Sequence, residues 1–223
     1  MVALVAVIGV VAAIVRADRE EPPLNDQELA DTAVLDHDDV SGFNPAERGV
    51  FPDLFAECFE GKAGEAAEAS GSRARAGTQM SDGDIVVTTL AAVYADADLP
   101  AAYVADFGDE RECILERNAD LLGVDEVIDR VVSTLEPRIG HEHAELAFEF
   151  QNAGSSGIRS TGRQGAADEV TVEIYVVEVG RALAYLSIEF PFDPGCSGGA
   201  GLPNPNILAN IMVGRLEDGG ATE

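Results

Sequence analysis

The sequence predicts an α+β domain: an antiparallel sheet with amphipathic helices packed on one face, the other face partly wet. Three observations carry this expectation. Runs of alternating apolar and polar residues stand as neighbours, at 144–150, 170–176 and 182–190. Apolar stripes at helical spacing precede and follow those runs. The chain has 223 residues, 46% of them hydrophobic, which suffices for one ordinary core plus a terminal segment.

Composition narrows the function classes. Acidic residues number 41 against 14 basic ones, a formal charge of −27. Such a surface repels phosphate backbones, so nucleic acid is excluded as a partner; it attracts cations or basic partners. A general acidic bias of the habitat leaves the same mark. Tryptophan is absent and aromatics make up only 6%, which disfavours a carbohydrate-stacking platform.

Residues 2–15 are all apolar or glycine, with Arg16 behind them. A helix of that length spans about 21 Å, short of the roughly 30 Å hydrocarbon core, and matches a signal-peptide core better than a full span. No basic residue precedes it and no Ala-x-Ala site follows. An assigned start that lies too late, and an anchor rather than a cleaved signal, are the simplest readings of residues 1–16. Residues 17–39 carry nine acidic side chains and Pro22-Pro23, and read as an extended stalk. Residues 40–217 then form one α+β domain, and 218–223 a frayed tail.

Asn44-Pro45-Ala46-Glu47 has the look of a helix start, and Phe51, Leu54, Phe55 and Cys58 repeat at helical spacing up to Gly61. Residues 60–83 read as a loop. Residues 85–94 form a strand run with apolar character on both sides. Asp109-x-x-Glu112 is a capping box opening a helix through Ile114, Leu115, Leu121 and Leu122, continued by Val124, Val127, Ile128, Val131 and Leu135. Ala144, Leu146, Phe148 and Phe150 alternate as a strand with one wet face, and 152–167 is a long connection. Val170 to Val176 and Ala182 to Phe190 form a hairpin. Matching their even-numbered apolar sets needs an odd loop, Val179-Gly180-Arg181, which pairs Val176 with Ala184 and Ile174 with Leu186. Asn204-Pro205 opens a last helix with Ile207, Leu208, Ile211, Met212 and Leu216 as its stripe.

Of the three cysteines, Cys58 lies on the first helical stripe and Cys113 one turn into a later helix. Two helices on one sheet face bring them together, so a Cys58–Cys113 disulfide is expected, closing a loop worth about 4 kcal/mol in the chain-entropy model. Cys196 is the odd one. It can replace either partner, pair between chains, or remain a thiol.

The segment Leu35-Asp36-His37-Asp38-Asp39-Val40-Ser41-Gly42-Phe43 resembles the opening of many actinobacterial exported proteins. With the elements bearing Cys58 and Cys113, the 170–190 hairpin and the closing helix, the order over roughly 30–216 is similar to the extracellular sensor domains of actinobacterial receptor serine/threonine kinases and related small lipoproteins. The resemblance implies a PsbP-like α+β fold and an extracytoplasmic, non-catalytic module that senses a ligand or surface. Kinase sensors of this type usually carry two disulfides, whereas three cysteines allow one. These 223 residues include no kinase domain, so phosphorylation is not this chain's own signal.

Several constellations invite chemistry. Gly195-Cys196-Ser197-Gly198-Gly199 fits the G-x-S-x-G pattern, but prolines at 191, 194, 203 and 205 deny it the prompt helix that a nucleophile elbow needs. His141, His143 and Glu145 share one face of a strand and are candidate metal ligands, with Glu173 or Glu189 completing the set. Asp36 and Asp38, with Glu47 at loop position twelve, are a near-miss of an EF-hand. Arg159 and Arg163 are a rare basic spot suited to an anionic group. Tyr175, Leu183 and Tyr185 are expected on the wet sheet face as a contact surface for a protein or small-molecule ligand. The leading expectation is therefore a membrane-tethered or secreted binding domain on the extracytoplasmic face, needing no cofactor. The alternatives are a metal-dependent hydrolase at His141, His143 and Glu145, and a purely structural envelope protein.

Overall fold

The structure is a computed structural model and describes residues 24–49, 53–82, 85–122, 126–128, 143–151, 169–191 and 204–222. The expected leader at 1–16, the connection at 152–167, Cys196 and the 195–199 glycine-rich stretch lie outside the described residues. Among the described residues, no helix is long and apolar enough to cross a membrane.

The first helix among the described residues, α1 (Asp26–Ala33), stands where a stalk was expected. Asn25 caps it: its side chain accepts from the amides of Gln27 and Glu28, and Glu28 reaches back to the Asn25 amide at 3.2 Å. Leu29, Ala30 and Ala33 are buried, so residues 24–39 belong to the folded domain rather than to a stalk. The acids on the opposite side hid the apolar stripe.

Asn44 opens a strand, β1 (Asn44–Gly49), and not a helix. It pairs antiparallel with β2 (Ala74–Asp82), and the register shifts between Asn44 and Glu47. Pro45 falls inside that irregularity on an edge strand, one of the few places a sheet tolerates it. A short 3-10 turn at Ala56–Cys58 follows, then α2 (Gly61–Ala67). The expected loop at 60–83 thus holds a helix and a strand. Both are built from small residues that pack closely, and these gave no periodic signal of bulky apolars.

Next come β3 (Ile85–Val93), α3 (Asp98–Phe107) and α4 (Arg111–Leu122). The expected helical continuation past Leu122 is replaced at 126–128 by the strand β4 (Glu126–Ile128); β-branched Val127 and Ile128 suit the edge of a sheet. Strands β5 (His143–Gln151), β6 (Glu169–Val179) and β7 (Ala182–Pro191) stand as expected, and α5 (Pro205–Asp218) closes the domain with Asn204 as its cap. The tail is docked rather than frayed. Ala221 is 1% exposed, and its carbonyl accepts from the Arg181 amide at 3.1 Å.

Among the described residues the strands form one antiparallel seven-stranded sheet in the order β1-β2-β3-β7-β6-β5-β4. Two meanders meet at the β3–β7 seam, where Val87 faces Ile188 and Leu90 faces Tyr185. The α+β class holds, and the helices cover both faces. Face one carries Met80, Val87, Val177, Ala184 and Leu186 beneath α1 and α5. Face two carries Leu90, Ile174, Val176 and Leu183 beneath α2, α3 and α4. Each fully buried Leu or Met contributes roughly 2 kcal/mol. Ile207, assigned to the stripe of the last helix, is instead 60% exposed.

The hairpin register also differs from expectation. Val179 pairs Ala182 around a two-residue loop, Gly180-Arg181, so Val176 faces Tyr185 and Ile174 faces Ser187. Like-face matching assumed one dry side. With both sides covered, even- and odd-numbered sets are equally buriable, and parity no longer selects the loop. Gly180 turns with φ +54°, and a Cβ there would collide with the Ala221 carbonyl.

Candidate functional site

Tyr175, Leu183 and Tyr185 are not a surface. They are 3%, 0% and 7% exposed. Tyr175 belongs to face one, whereas Leu183 and Tyr185 belong to face two, beneath the helices. A single wet face was the wrong premise, because α1 and α5 dry the side assumed open. An aspartate at Leu183 would place a carboxylate in the core rather than disrupt a contact surface.

His141, Arg159 and Arg163 lie outside the described residues. His143 stands on β5 opposite Val177, and Glu145 opposite Tyr175. Glu173 pairs with Ala147, the next same-face position after Glu145, whereas Glu189 on β7 alternates with Leu183 and Tyr185 on face two. Strand pleating therefore removes Glu189 from the expected ligand set and leaves Glu173 on the same face. The Tyr175 hydroxyl donates to the Glu173 carboxylate at 3.2 Å.

Asp36, His37 and Asp38 bring one ligand atom each within 4.8 Å of one another. The Asp36 carboxylate is already engaged in a turn, accepting from the Asp38 amide at 2.9 Å. Glu47 is not the last ligand of a loop, since it sits in β1 opposite Gln79. The EF-hand geometry is thus absent at this position.

The disulfide is formed: Cys58 and Cys113 are joined with their Cα atoms 5.6 Å apart, 55 residues apart in sequence. It ties the turn at Ala56–Cys58 to α4, and the Glu57–Arg117 ion pair at 2.6 Å runs beside it. Cys58 is 7% exposed; Cys113 is half-buried and lines a hollow of about 570 Å³ at the junction of α3 and α4. The other walls of that hollow include Asp109, Glu110, Arg111, Glu112 and Glu116. The sequence displayed this site as a cysteine set among acids. Reading Asp109 and Glu112 only as a helix cap hid it.

Behind the disulfide lies a buried cluster of rings and one guanidinium. Phe59 and Tyr103 approach to 4.7 Å between centroids, and Tyr103 and Phe107 to 5.6 Å. Arg75 is 5% exposed, and its Nη2 donates to the carbonyls of Ala66, Ala67 and Glu68, where α2 ends. Tyr94 donates to the same Ala66 carbonyl at 2.8 Å, and Tyr103 donates to the Leu54 carbonyl at 3.2 Å. Burial pushes the Tyr94 phenol up to about 12, the nearby Arg75 opposing part of the shift. Burial likewise raises Tyr103 and Tyr185. These hydroxyls are held protonated and committed to the scaffold.

No family model matches the chain, and no curated protein matches it. Among solved structures the chain is similar to the extracellular domain of PknH from Mycobacterium tuberculosis. The TM-score is 0.48 and the identity 9%, over 88% of this chain and 98% of that one.

Proposed function

We propose that this chain is a non-catalytic, extracytoplasmic domain that binds or senses, held at a membrane by the segment 1–16. The single observation that carries the reading is the Cys58–Cys113 disulfide, a bond that persists in oxidising compartments and is rare in the cytosol. Composition supports it from a second side. An excess of 41 acidic over 14 basic residues gives a soluble surface that favours a basic protein or cationic small molecule and turns away nucleic acid. Arg159 and Arg163 are the residues best suited to an anionic group on such a ligand. Among the described residues, the buried hydroxyls of Thr78, Tyr94 and Tyr103 hold backbone carbonyls, which is scaffold work rather than nucleophile work.

Fractionation of native cells with non-reducing peptide mapping tests this reading. The expected result is protein in the envelope fraction with Cys58 and Cys113 linked. Recovery from the cytosol with both thiols open to alkylation would overturn it.

A further inference from the structure

We propose that the Cys58–Cys113 disulfide is a thiol-exchange site, and that the acidic hollow above Cys113 selects the reductant by charge, favouring cationic thiols and turning away anionic ones. Three observations converge. Cys58 is buried at 7% exposure, whereas half-buried Cys113 lines the hollow, so the hollow borders the Cys113 side of the bond. The hollow has room for a small thiol, at about 570 Å³. Asp109, Glu110, Glu112 and Glu116 line it against Arg111, so an entering anion meets like charge.

The exchange runs in two steps. A thiolate entering the hollow attacks the Cys113 sulfur and forms a mixed disulfide. The Cys58–Cys113 bond breaks, and its electron pair leaves with Cys58 as a thiolate that takes up a proton. A second thiolate then attacks the outer sulfur of the mixed disulfide and releases Cys113, which is protonated in turn. Two small thiols become one small disulfide, and the protein gains two thiols. The attacking thiolate is itself negative, so a thiol carrying an ammonium group enters as a neutral species. Glutathione, with its extra carboxylate, enters with the most repulsion.

Opening this bond acts on a defined part of the fold. The turn bearing Cys58 loses its covalent hold on α4 and keeps the exposed Glu57–Arg117 ion pair and the packing of their shared apolar cluster. The site thereby couples the reducing charge of the surroundings to the order of α4.

The test uses the purified full chain, with a Cys196→Ser variant in parallel to keep the third cysteine out of the count. Cysteamine, 2-mercaptoethanol and glutathione each reduce the protein, and each rate is divided by that thiol's rate on a small uncharged disulfide. At an ionic strength of about 0.05 M, the normalised rate for cysteamine is expected to exceed that for glutathione by at least about tenfold; near about 1 M the gap closes to about twofold. Glu112→Gln with Glu116→Gln narrows the low-salt gap. Early quenching and mass spectrometry find the first adduct on Cys113. Equal normalised rates at low salt, a gap that the double substitution leaves unchanged, or a first adduct on Cys58 would each overturn the proposal.

Discussion

On the face covered by α1 and α5, the helices are fastened by hydrogen bonds and ion pairs between residues far apart in the chain. On the face covered by α2, α3 and α4, a covalent bond and three packed aromatic rings stand beside the hydrogen bonds of Arg75, Tyr94 and Tyr103. The first set is specific. Thr78 and Thr89 face each other across β2 and β3 with their hydroxyls 2.7 Å apart; Thr78 donates to the Leu35 carbonyl, and Thr89 accepts from the Leu35 amide. Arg215 on α5 grips both carboxylate oxygens of Asp39 at 2.9 and 2.7 Å and donates to the Val34 carbonyl as well. Arg181 donates to Asp26 at 2.6 Å. The difference shows how a chain with so few cations uses them. Of 14 basic residues, 13 are arginine, whose forked donors serve several acceptors at once, as Arg75 and Arg215 do. Face one carries two part-buried ion pairs, Arg181–Asp26 and Arg215–Asp39, which salt screens only in part. The disulfide of face two is indifferent to salt.

The comparison breaks most visibly at the covalent tie. Cys58→Ala with Cys113→Ala should lower stability by about 4 kcal/mol in urea titrations, by the same amount at low and high salt. A loss under about 1 kcal/mol would show that the aromatic cluster alone closes face two.

Alkaline titration sharpens it next. The folded pKa of Tyr94 lies above its ordinary value, so its contribution is whole below about pH 10 and is lost as pH rises towards about 12. Two pKa units correspond to roughly 3 kcal/mol. Tyrosinate absorbance should therefore rise for the buried face-two tyrosines only together with loss of the circular-dichroism signal. Ionisation of Tyr94 in a folded chain would refute the packing described for it.

The smallest effect is on face one. Thr78→Val keeps the shape but leaves the Leu35 carbonyl without its donor, a loss of about 2 kcal/mol. The change should be non-additive with Thr89→Val, since the two hydroxyls share one network. Strict additivity would mean that the two threonines act separately.

Legibility in the sequence followed side-chain size. Strands β3, β5, β6 and β7 and helix α5 announced themselves through bulky residues at their proper period. In contrast, α2 buries only Ala63, Ala66 and Ala67, and β2 puts Ala74, Ala76 and Gly77 under its neighbours, so both read as loop. Helix α1 was lost among Asp26, Glu28 and Asp31, although Asn25 and Glu28 spelled out its capping box. The disulfide was legible because two elements packed on one side can meet, although the sequence left Cys196 able to replace either partner. The supposed contact surface at Tyr175, Leu183 and Tyr185 was not, since alternation tells which residues share a face and never whether a helix lies over it.

The ties of face one carry a last consequence. Asp26 is joined to a residue 155 positions later, Asp39 to one 176 later, and Val34 to one 181 later. A nascent chain emerging amino-terminus first must hold these three groups unsatisfied until Arg181 and then Arg215 are free. Contacts of such sequence separation form slowly, because a long loop must close before any of them is made. These ties of face one therefore close only after Arg215 has been made, and until then the polypeptide stays unlatched and threadable.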